Sequence, residues 1–484
     1  MGKSFINNKP AINMTLVGFG QAGSRMVDVF AGYQYGDGIQ SYNCLALNSN
    51  DGDLRGLKNI PNDNRVSLEL GGLGKNPEKA MEILEENQEV KARLKSFIRD
   101  KVRPQDELVL FFAGLGGGTG TSTIVKSIAE FYDYQNKPLI EKELRKLIED
   151  EGTAAFKADQ KGFLKRAFKK AESKFIKIGV VAALPTRNDG PDVLRQVNDF
   201  AQEIWKMAND PSKGIAFVMF PDNQFFYEEF KKLSTTQQKQ NDNYRDYANL
   251  QIAENIHEIN TAITQGGATI EMDVQDLKRA WLEHKGCLVL SKKEAPIDKI
   301  KGADDITNLF KSTFKESNLH TPIELVKVEE DQKFVKKIHH AGILTVIDTK
   351  RDYGNGSFID DTLAHIREEY VVNGTVFYGY AQHKNDFNVT TYTFYKVDGL
   401  PERLEKGLAE EYFEYQERTK NVQFDKTQIK GIKNEDTDDL NLDFDALGLA
   451  DFLIEEDAEN QETEELTEES VDDLLKDLDL SFKD

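Results

Sequence analysis

Short apolar runs that end in glycine or in small polar residues recur along the first half of the chain. They predict buried strands, because strands covered on both faces are nearly continuous Val, Ile, Leu and Phe. The runs are residues 13–17, 43–47, 108–113, 176–184 and 214–220. Between them, segments such as 122–132 repeat apolar residues at helical spacing. This alternation predicts an α/β fold with a Rossmann-like domain and a parallel sheet.

A long helical stripe follows this first half. Ile252, Ile256, Ile259 and Ile263 share one face of a helix that we predict over residues 249–265. Later runs are rich in Val, Thr, Tyr and Phe, which favours the strands of a smaller α+β domain. The predicted organisation is a first domain over 1–248, a central helix over 249–265, a second domain over 266–420 and a tail over 421–484.

Residues 133–175 read as a helical insertion in the first domain. Its second half is basic, with eight Lys or Arg between Lys157 and Lys177 against Asp159 and Glu172. Apolar residues at helical spacing within it predict an amphipathic helix packed on the body. The outer cationic face is either a solvated surface or a contact for DNA or a partner.

The acidity of the chain is concentrated at its end. The formal net charge is −22, and residues 434–484 hold 21 Asp or Glu and only two Lys. A segment of this composition cannot bury a core, so 421–484 is predicted to be a disordered acidic tail. The body that precedes it is close to neutral.

Composition places the protein in a broad class. The sequence contains no apolar run near the ~18 residues that a membrane helix needs, which favours a soluble, cytoplasmic protein. Cys44 and Cys287 sit in apolar runs, as expected of buried thiols in a reducing compartment. The histidines show no metal-ligand spacing, so no metal-binding side chain is predicted.

The most informative stretch is a glycine loop between a buried strand and an amphipathic helix. It contains Gly114, Gly116, Gly117, Gly118, Thr119, Gly120 and Thr121. Glycine lets backbone N–H groups approach an anion, and the following helix adds unpaired donors and a favourable dipole. The loop predicts phosphate binding. It is not a Walker A motif, because no lysine follows Gly120.

Two further glycine-rich loops precede helices. The first contains Gly18, Gly20, Gln21 and Ala22, and the second contains Gly74, Lys75 and Asn76. The first is also a GxGxxG pattern, which leaves open an NAD(P)-dependent oxidoreductase. That alternative expects an acidic residue about 20 residues further on. The second strand instead ends in asparagine, at Asn48.

The GGGTGT loop after an apolar strand resembles the phosphate loop of the tubulin/FtsZ superfamily. The closing segment TYTFYKVDGLPERLEKGL resembles the end of the TubZ body, and the resemblance covers roughly residues 11–420. It implies a GTPase that forms filaments, with GTP and Mg²⁺ held by the three glycine loops and with the hydroxyls of Thr119 and Thr121 as further donors to the phosphates. It further implies ribose and base contacts at Asn48, Asp189, Asn223 and either Glu254 or Asn255.

The resemblance also implies a catalytic acidic pair, which Asp273 and Asp276 match. Glu271 stands where FtsZ has asparagine, a departure from the pattern. Asp273 is equally suited to cap a helix. The pair follows the central helix, whose length separates it from the phosphates by roughly 25–30 Å at 1.5 Å per residue. Hydrolysis is therefore expected at a head-to-tail contact between two subunits.

Two cellular roles fit such a GTPase. Plasmid or phage DNA segregation expects a DNA-bound adaptor, whereas a cell-division or cell-shape cytoskeleton expects a membrane anchor joined through the tail. TubZ tails are typically basic, and this one is acidic, so it is not expected to grip DNA directly. The predicted partners are further copies of the chain and an adaptor bound by the tail.

Overall fold

The computed structural model describes residues 4–70, 76–265, 270–325, 337–348, 356–383 and 387–420. Its strands are β1 Met14–Phe19, β2 Gln34–Tyr35, β3 Ile39–Gln40, β4 Asn43–Asn48, β5 Arg65–Ser67, β6 Leu108–Gly114, β7 Lys177–Ala183, β8 Ile215–Met219, β9 Cys287–Pro296, β10 Ile338–Asp348, β11 Val376–His383 and β12 Asn388–Val397. Gly74, Lys75, the segment 266–269 and the tail 421–484 lie outside the described residues.

The helices alternate with these strands. They are α1 Gly20–Phe30, α2 Asp51–Arg55, α3 Pro77–Glu86, α4 Gln88–Lys101, α5 Gly118–Phe131, α6 Lys137–Glu151, α7 Thr153–Ala158, α8 Gln160–Ala171, α9 Pro191–Asn209, α10 Asn223–Lys232, α11 Thr235–Gln238, α12 Tyr244–Ala262, α13 Val274–Leu282, α14 Ala303–Lys315, α15 Ser357–Glu369 and α16 Leu408–Lys420. In the part of the chain that the structure describes, no helix combines the length and apolarity needed to cross a membrane.

Ten strands form one sheet in the order β11-β10-β12-β9-β8-β7-β6-β1-β4-β5. Among them, β12 is antiparallel to both of its neighbours, and the other pairs are parallel. Val218 of β8 and Cys287 of β9 form the residue pair that joins the two parts of the sheet. The predicted α/β class with a large parallel sheet is confirmed.

The chain order reverses between β6 and β1. β1 lies beside β6, and the chain builds outward to β4 and β5 on one side and to β7 and β8 on the other. In open α/β sheets, ligands bind outside the carboxyl ends of the strands at such a switch point. We call this side of the sheet the carboxyl edge and the opposite side the amino edge.

Helices cover both faces of the sheet. α3, α4, α5, α9, α14 and α15 supply buried side chains to one core layer, and α1, α2, α10, α12 and α13 supply them to the other. Each face is therefore shielded from water, which explains why the strands are apolar at nearly every position rather than at alternate ones.

The central helix starts earlier than the sequence predicted. α12 begins at Tyr244, because the Asn243 side chain caps it by accepting hydrogen bonds from the backbone N–H groups of Arg245 (2.8 Å) and Asp246 (3.2 Å). A 3₁₀ turn, Ile263–Gln265, follows its end. The predicted start at Asn249 was wrong, because the first turn of the helix carries no apolar stripe to reveal it.

The insertion consists of three helices, α6, α7 and α8, where the sequence predicted one. Gly152 separates the first two with a φ of +90°, and Asp159 caps α8 by accepting from the backbone N–H of Gly162 at 2.9 Å. Phe163 and Phe156 are buried and meet edge to face. α8 is amphipathic, as predicted, and its buried side packs against α6 and α7 of the insertion itself. Its packing on the body stays a prediction.

Stability is expected to fall in mild acid, because His257 of α12 is buried. Its Nε2 contacts the carbonyl of Ile6 at 2.8 Å and its Nδ1 contacts the Tyr42 hydroxyl at 2.9 Å. Burial lowers the pKa of His257 from 6.5 to about 4. The unfolded chain therefore takes up the proton first, and the free energy of unfolding drops by up to about 3 kcal/mol as pH falls from 6.5 to 4.

Urea unfolding at intervals from pH 7 to pH 4 measures this loss. The variant His257→Gln, which removes the titrating ring, should reduce the slope between pH 6.5 and 5, where most carboxylates do not yet titrate. Part of the slope remains, because burial also lowers the pKa of His320 to about 4. An equal slope in both proteins would contradict the assignment.

Candidate active site

Two glycine loops touch each other at the carboxyl edge. A Cβ atom placed on Gly20, whose φ is +65°, would lie 2.8 Å from the backbone nitrogen of Gly120. A Cβ atom on Gly114 would lie 2.7 Å from the Cβ of Ala22. Because side chains would hold these backbones apart, only glycine permits the contact at both positions.

The third predicted loop reaches the same place. A Cβ atom on Gly118 would lie 3.0 Å from the backbone nitrogen of Asn76, whose side chain caps α3 by accepting from the N–H of Lys79. Within the first loop, a Cβ atom on Gly18 would come within 2.5 Å of the Gly23 carbonyl oxygen. The structure thus brings the described parts of all three loops together. We call this assembly the glycine cradle.

Two helices begin in the cradle without a side-chain cap. α1 follows Phe19 and α5 follows Gly117. Neither residue has a side chain that accepts a hydrogen bond from the first N–H groups of its helix. The first N–H groups of a helix have no partner within the helix, and its dipole favours negative charge there. Two such ends at one point favour the binding of an anion.

Gly117 leaves open space in the cradle. The nearest heavy atom to a Cβ placed on it, outside its immediate neighbours, is the Gly114 carbonyl oxygen at 4.0 Å. The backbone there, with φ −113° and ψ 153°, suits any residue. Steric fit within the protein therefore does not explain glycine at this position; the preference of helix N-caps for glycine and close approach of a ligand are two reasons that fit.

The two threonines of the loop differ in role. The Thr121 hydroxyl is buried and lies 2.8 Å from the Leu115 carbonyl and 2.6 Å from the Gly117 carbonyl, to which it donates. It braces the loop instead of pointing at a ligand, which corrects the expectation of a phosphate donor. Thr119 lies half-buried in the first turn of α5.

Asp53 joins the loop after β1 to the end of β4, although no pattern in the sequence singled it out. Its Oδ1 accepts from Gln21 Nε2 at 3.1 Å and its Oδ2 accepts from Asn48 Nδ2 at 3.2 Å. The predicted residues Gln21 and Asn48 are therefore together at the cradle, and a carboxylate is fixed between them. Asp53 lies only five residues after Asn48, but a carboxylate in a short polar helix carries no pattern by itself.

The loop after β7 is held by its own aspartate. Asp189 Oδ2 accepts from the backbone N–H of Thr186 at 3.0 Å and from its hydroxyl at 2.9 Å. Asn223 begins α10, and its backbone N–H donates to the Leu184 carbonyl at 3.2 Å. Both predicted residues thus lie at the carboxyl edge, on neighbouring strand ends.

Tyr244 lies beside this loop and was missed by the sequence reasoning. Its side chain hydrogen bonds to Thr186, and its ring meets Tyr227 edge to face with centroids 5.3 Å apart. Partial burial raises the pKa of Tyr244, so its hydroxyl stays protonated at neutral pH. A flat aromatic ring next to the strand ends suits stacking against a purine base.

Glu254 and Asn255 lie elsewhere. Because α12 begins at Tyr244, they fall in its third turn, about 15 Å along the axis from its start. A Glu254 carboxylate oxygen lies 3.7 Å from Lys292 Nζ on β9. Asn255 is fully buried and donates to the Gln251 carbonyl at 2.8 Å. The structure does not bring either residue to the glycine cradle.

A buried arginine ties the strand-end loops to the last helix. Arg403 donates to the Pro185 carbonyl at 2.7 Å, to Asp222 Oδ1 at 2.6 Å and to both carboxylate oxygens of Glu411 at 3.0 and 2.9 Å. Asp222 caps α10, so this one side chain fixes both loops that follow β7 and β8. Pro185 and Asp222 are distant from it in sequence, which is why no pattern revealed it.

The predicted acidic pair caps a helix at the other edge of the sheet. Asp273 accepts from the backbone N–H of Asp276 at 2.8 Å, and Asp276 accepts from that of Asp273 at 3.2 Å. Val274 shares a cavity with Asn13 and Glu107, which directly precede β1 and β6. Lys278 of the same helix lies 2.5 Å from Glu107. The cap expected from the sequence is present, on the amino edge.

The pair and the cradle are therefore separated by the length of the strands. β6 has seven residues, or about 20 Å at 3.3 Å per residue, between Glu107 at its start and Gly114 at its end. The short side chains of two aspartates cannot bridge such a gap. Within one chain, Asp273 and Asp276 do not meet the phosphate loops.

A histidine cluster near α13 resembles a metal site. Glu283, His284 and His340 place possible ligand atoms within 4.8 Å of one another. However, His340 Nδ1 accepts from the backbone N–H of Thr375 at 2.9 Å, so the neutral ring carries its proton on Nε2, the atom 3.4 Å from Glu283. A metal would need the lone pair there. We propose no metal at this cluster.

Comparison with known proteins gives relatives of limited extent. No family model matches the chain. The tubulin-like protein CetZ1 of Haloferax volcanii is 38% identical over 118 residues, which are 23% of this chain and 29% of CetZ1. The tubulin-like protein TubZ of Bacillus thuringiensis subsp. israelensis is 29% identical over 125 residues, 24% of this chain and 26% of TubZ. The matched segments thus span less than a third of these relatives.

Solved structures match over most of the chain. A protofilament crystal structure of Bacillus thuringiensis serovar israelensis TubZ aligns with a TM-score of 0.61 at 19% identity, covering 86% of this chain and 94% of that one. CetZ1 of Haloferax volcanii aligns with a TM-score of 0.53 at 18% identity, covering 84% and 100%. This chain has the tubulin/FtsZ fold. The resemblance stated from the sequence is confirmed, with TubZ and CetZ as relatives.

The tubulin/FtsZ fold accounts for the geometry found here. It explains why the glycine cradle sits at the switch point of the sheet while the acidic pair follows the long central helix to the opposite edge. The isolated GxGxxG reading, an NAD(P)-dependent oxidoreductase, has no support from this fold.

Proposed function

We propose that this chain is a GTPase that assembles head to tail and hydrolyses GTP at the contact between two subunits. The observation that carries this proposal is the separation of the glycine cradle from Asp273 and Asp276 by the full length of the sheet strands. Only a second copy, stacked with its amino edge on the first copy's carboxyl edge, brings the two sets of groups together.

The cradle would hold the triphosphate through backbone N–H groups. The uncapped starts of α1 and α5 supply donors and a favourable dipole for the phosphate charge. Asp189 and Asn223 remain our candidates for ribose and base contacts, and Tyr244 is added as a stacking surface. The carboxylate of Asp53, fixed by Gln21 and Asn48, is a hard oxygen donor that fits Mg²⁺, which would neutralise charge on the phosphates.

The aspartates of the neighbouring subunit would orient the attacking water. Phosphoryl transfer requires mainly positioning and charge stabilisation, so a site divided between two chains is chemically sufficient. Asp273 and Asp276 are held by their mutual cap and lie on the protein surface. Their carboxylates can accept hydrogen bonds from a water molecule, which aligns it with the terminal phosphate. Assembly thereby switches hydrolysis on.

The rate of GTP hydrolysis per molecule should rise with protein concentration. Monomers lack the aspartates of a neighbour, so they bind GTP but turn it over slowly. Phosphate release measured across a hundredfold dilution series, with light scattering in parallel, checks this. The rate should increase at the concentration where scattering appears with GTP and stay at baseline with ATP or GDP. A constant rate per molecule would mean that each chain contains a complete site.

For the cellular role, we propose plasmid or phage DNA segregation. It is supported by the TubZ-like closing segment and by the structural similarity to a TubZ described as a type III plasmid segregation protein, which aligns with a TM-score of 0.59 at 16% identity. A cell-division or cell-shape role is the alternative. The role would be exercised in the cytoplasm.

The acidic tail separates these roles experimentally. Under the segregation hypothesis, the tail binds a DNA-bound adaptor protein rather than DNA itself, since its charge repels phosphates. Filaments should therefore bind plasmid DNA only when a basic adaptor encoded beside this gene is added, and should not do so after removal of residues 421–484. Attachment to membrane vesicles through a tail-binding anchor would support the alternative.

A further inference from the structure

One lysine is fully enclosed in the protein. Lys396 lies next to the end of β12, and its side chain has no solvent exposure. Its Nζ donates to three backbone carbonyl oxygens, those of Ala216 at 3.1 Å, Trp281 at 3.0 Å and His284 at 2.6 Å. An ammonium group has three donors, and here all three are used.

Two of these carbonyls belong to the end of α13. The last carbonyls of a helix have no partner within it and carry the negative end of its dipole. Trp281 is the penultimate residue of α13, and His284 follows just after its end. His284 has a φ of +60°, which residues other than glycine rarely adopt. The chain therefore leaves the helix in an unusual turn whose carbonyl oxygen meets the ammonium.

The opposite end of the same helix carries the aspartates. α13 has nine residues, about 13 Å at 1.5 Å per residue, with Asp273 as its cap and Asp276 in its first turn. A helix this short moves as a rigid rod, so a displacement at one end shifts the other. Leu277, Ala280 and Trp281 pack its inner side, but apolar packing alone tolerates small sliding motions more readily than directed hydrogen bonds do.

Burying a charged side chain costs free energy, because the charge loses its hydration. Burial lowers the pKa of Lys396 well below its ordinary value, since an ammonium loses its hydration there. An apolar residue of the same length would occupy the site without that cost. What it would lack is the three-way link between α13, β8 and β12.

From this link we infer that Lys396 is a positioning residue for the aspartates that act on the neighbouring subunit's GTP. The inference rests on the proposed function. Lys396 touches neither substrate nor aspartate, and it acts by fixing the end of α13. Displacements of about 1 Å can cost a hundredfold in rate, so loosening this anchor should slow hydrolysis while GTP binding at the distant carboxyl edge persists.

The test is a double-mutant cycle on turnover per assembled subunit. Lys396→Met keeps the side-chain length and removes the donors, and Lys293→Met, on the half-exposed part of β9, is the matched control. We expect K396M to reduce turnover at least tenfold in the wild-type background and less than twofold on top of Asp273→Asn. K293M should change neither. Binding of GTP by monomers should be the same in all variants.

Multiplicative losses in the two backgrounds, or unchanged turnover in K396M filaments, would overturn the inference. If K396M melts below the assay temperature, Lys396→Arg, which retains charge and donors in a different shape, is taken through the same cycle. It should show a smaller loss with the same dependence on Asp273. Normal turnover in D273N alone would instead reject the proposed function, so the two failures are distinguishable.

Discussion

Asp273→Asn is expected to reduce GTP turnover in filaments by about 10²–10³-fold, comparable to the loss of one key electrostatic group in an active site. Asparagine caps a helix as well as aspartate does, so the start of α13 is retained while the negative charge is removed. GTP binding and assembly should persist, because the cradle is on the other edge of the chain. Phosphate release per sedimented subunit measures the effect.

The matched control is Asp159→Asn, which makes the same change at the cap of α8 in the insertion. It should leave turnover unchanged. Asp276→Asn should behave like D273N. Filaments of D273N that hydrolyse GTP at the normal rate would remove the catalytic role of the pair, and loss of GTP binding by the monomer would reveal a structural role instead.

Gly117→Ala should weaken GTP binding at least tenfold, or about 1.4 kcal/mol, and should lower the stability of the fold only by the ~1 kcal/mol typical of a poorer N-cap residue. The backbone at Gly117 accepts alanine, and the added Cβ meets no heavy atom closer than the Gly114 oxygen at 4.0 Å. The methyl group therefore clashes only with a ligand that approaches the backbone. Titration calorimetry with GTP and thermal unfolding of the free protein measure the two effects separately.

Gly302→Ala is the corresponding control. Gly302 is also a glycine that precedes a helix, here α14, and a Cβ placed on it meets nothing within 4 Å. Both variants replace an N-cap glycine and should lose a similar, small amount of stability, and G302A should bind GTP normally. Equal GTP affinity in G117A would show that the phosphates do not lie against this residue.

The parts of the molecule that were predictable from the sequence are those determined by residues close together in the chain. A buried strand followed by glycines, as at Gly114–Gly120, announces itself because both signals lie within a few residues. The cap at Asp273 was predictable for the same reason. The start of α12 was not predictable, because Asn243 and the polar first turn of the helix add no apolar residues at helical spacing.

Contacts between distant segments could not be predicted. Arg403 reaches Asp222 across 181 positions and Lys396 reaches Ala216 across 180. Thr121 looked like a phosphate donor because its type and place in the loop suit that role, and only the positions of the Leu115 and Gly117 carbonyls show where its proton goes. The roles of such side chains depend on the residues that the fold brings near them, not on their neighbours in sequence.

The placement of the cradle and the acidic pair on opposite edges gives any filament made by the proposed contact a direction. At one end of the filament, the GTP-binding site of the terminal subunit has no neighbouring aspartates. Its GTP is therefore not hydrolysed and can exchange with nucleotide in solution. At the other end, the aspartates of the terminal subunit face solvent and have no GTP beside them. Subunits should then be added and lost at different rates at the two ends. Unhydrolysed GTP in the terminal subunit should slow the loss of subunits at only one end.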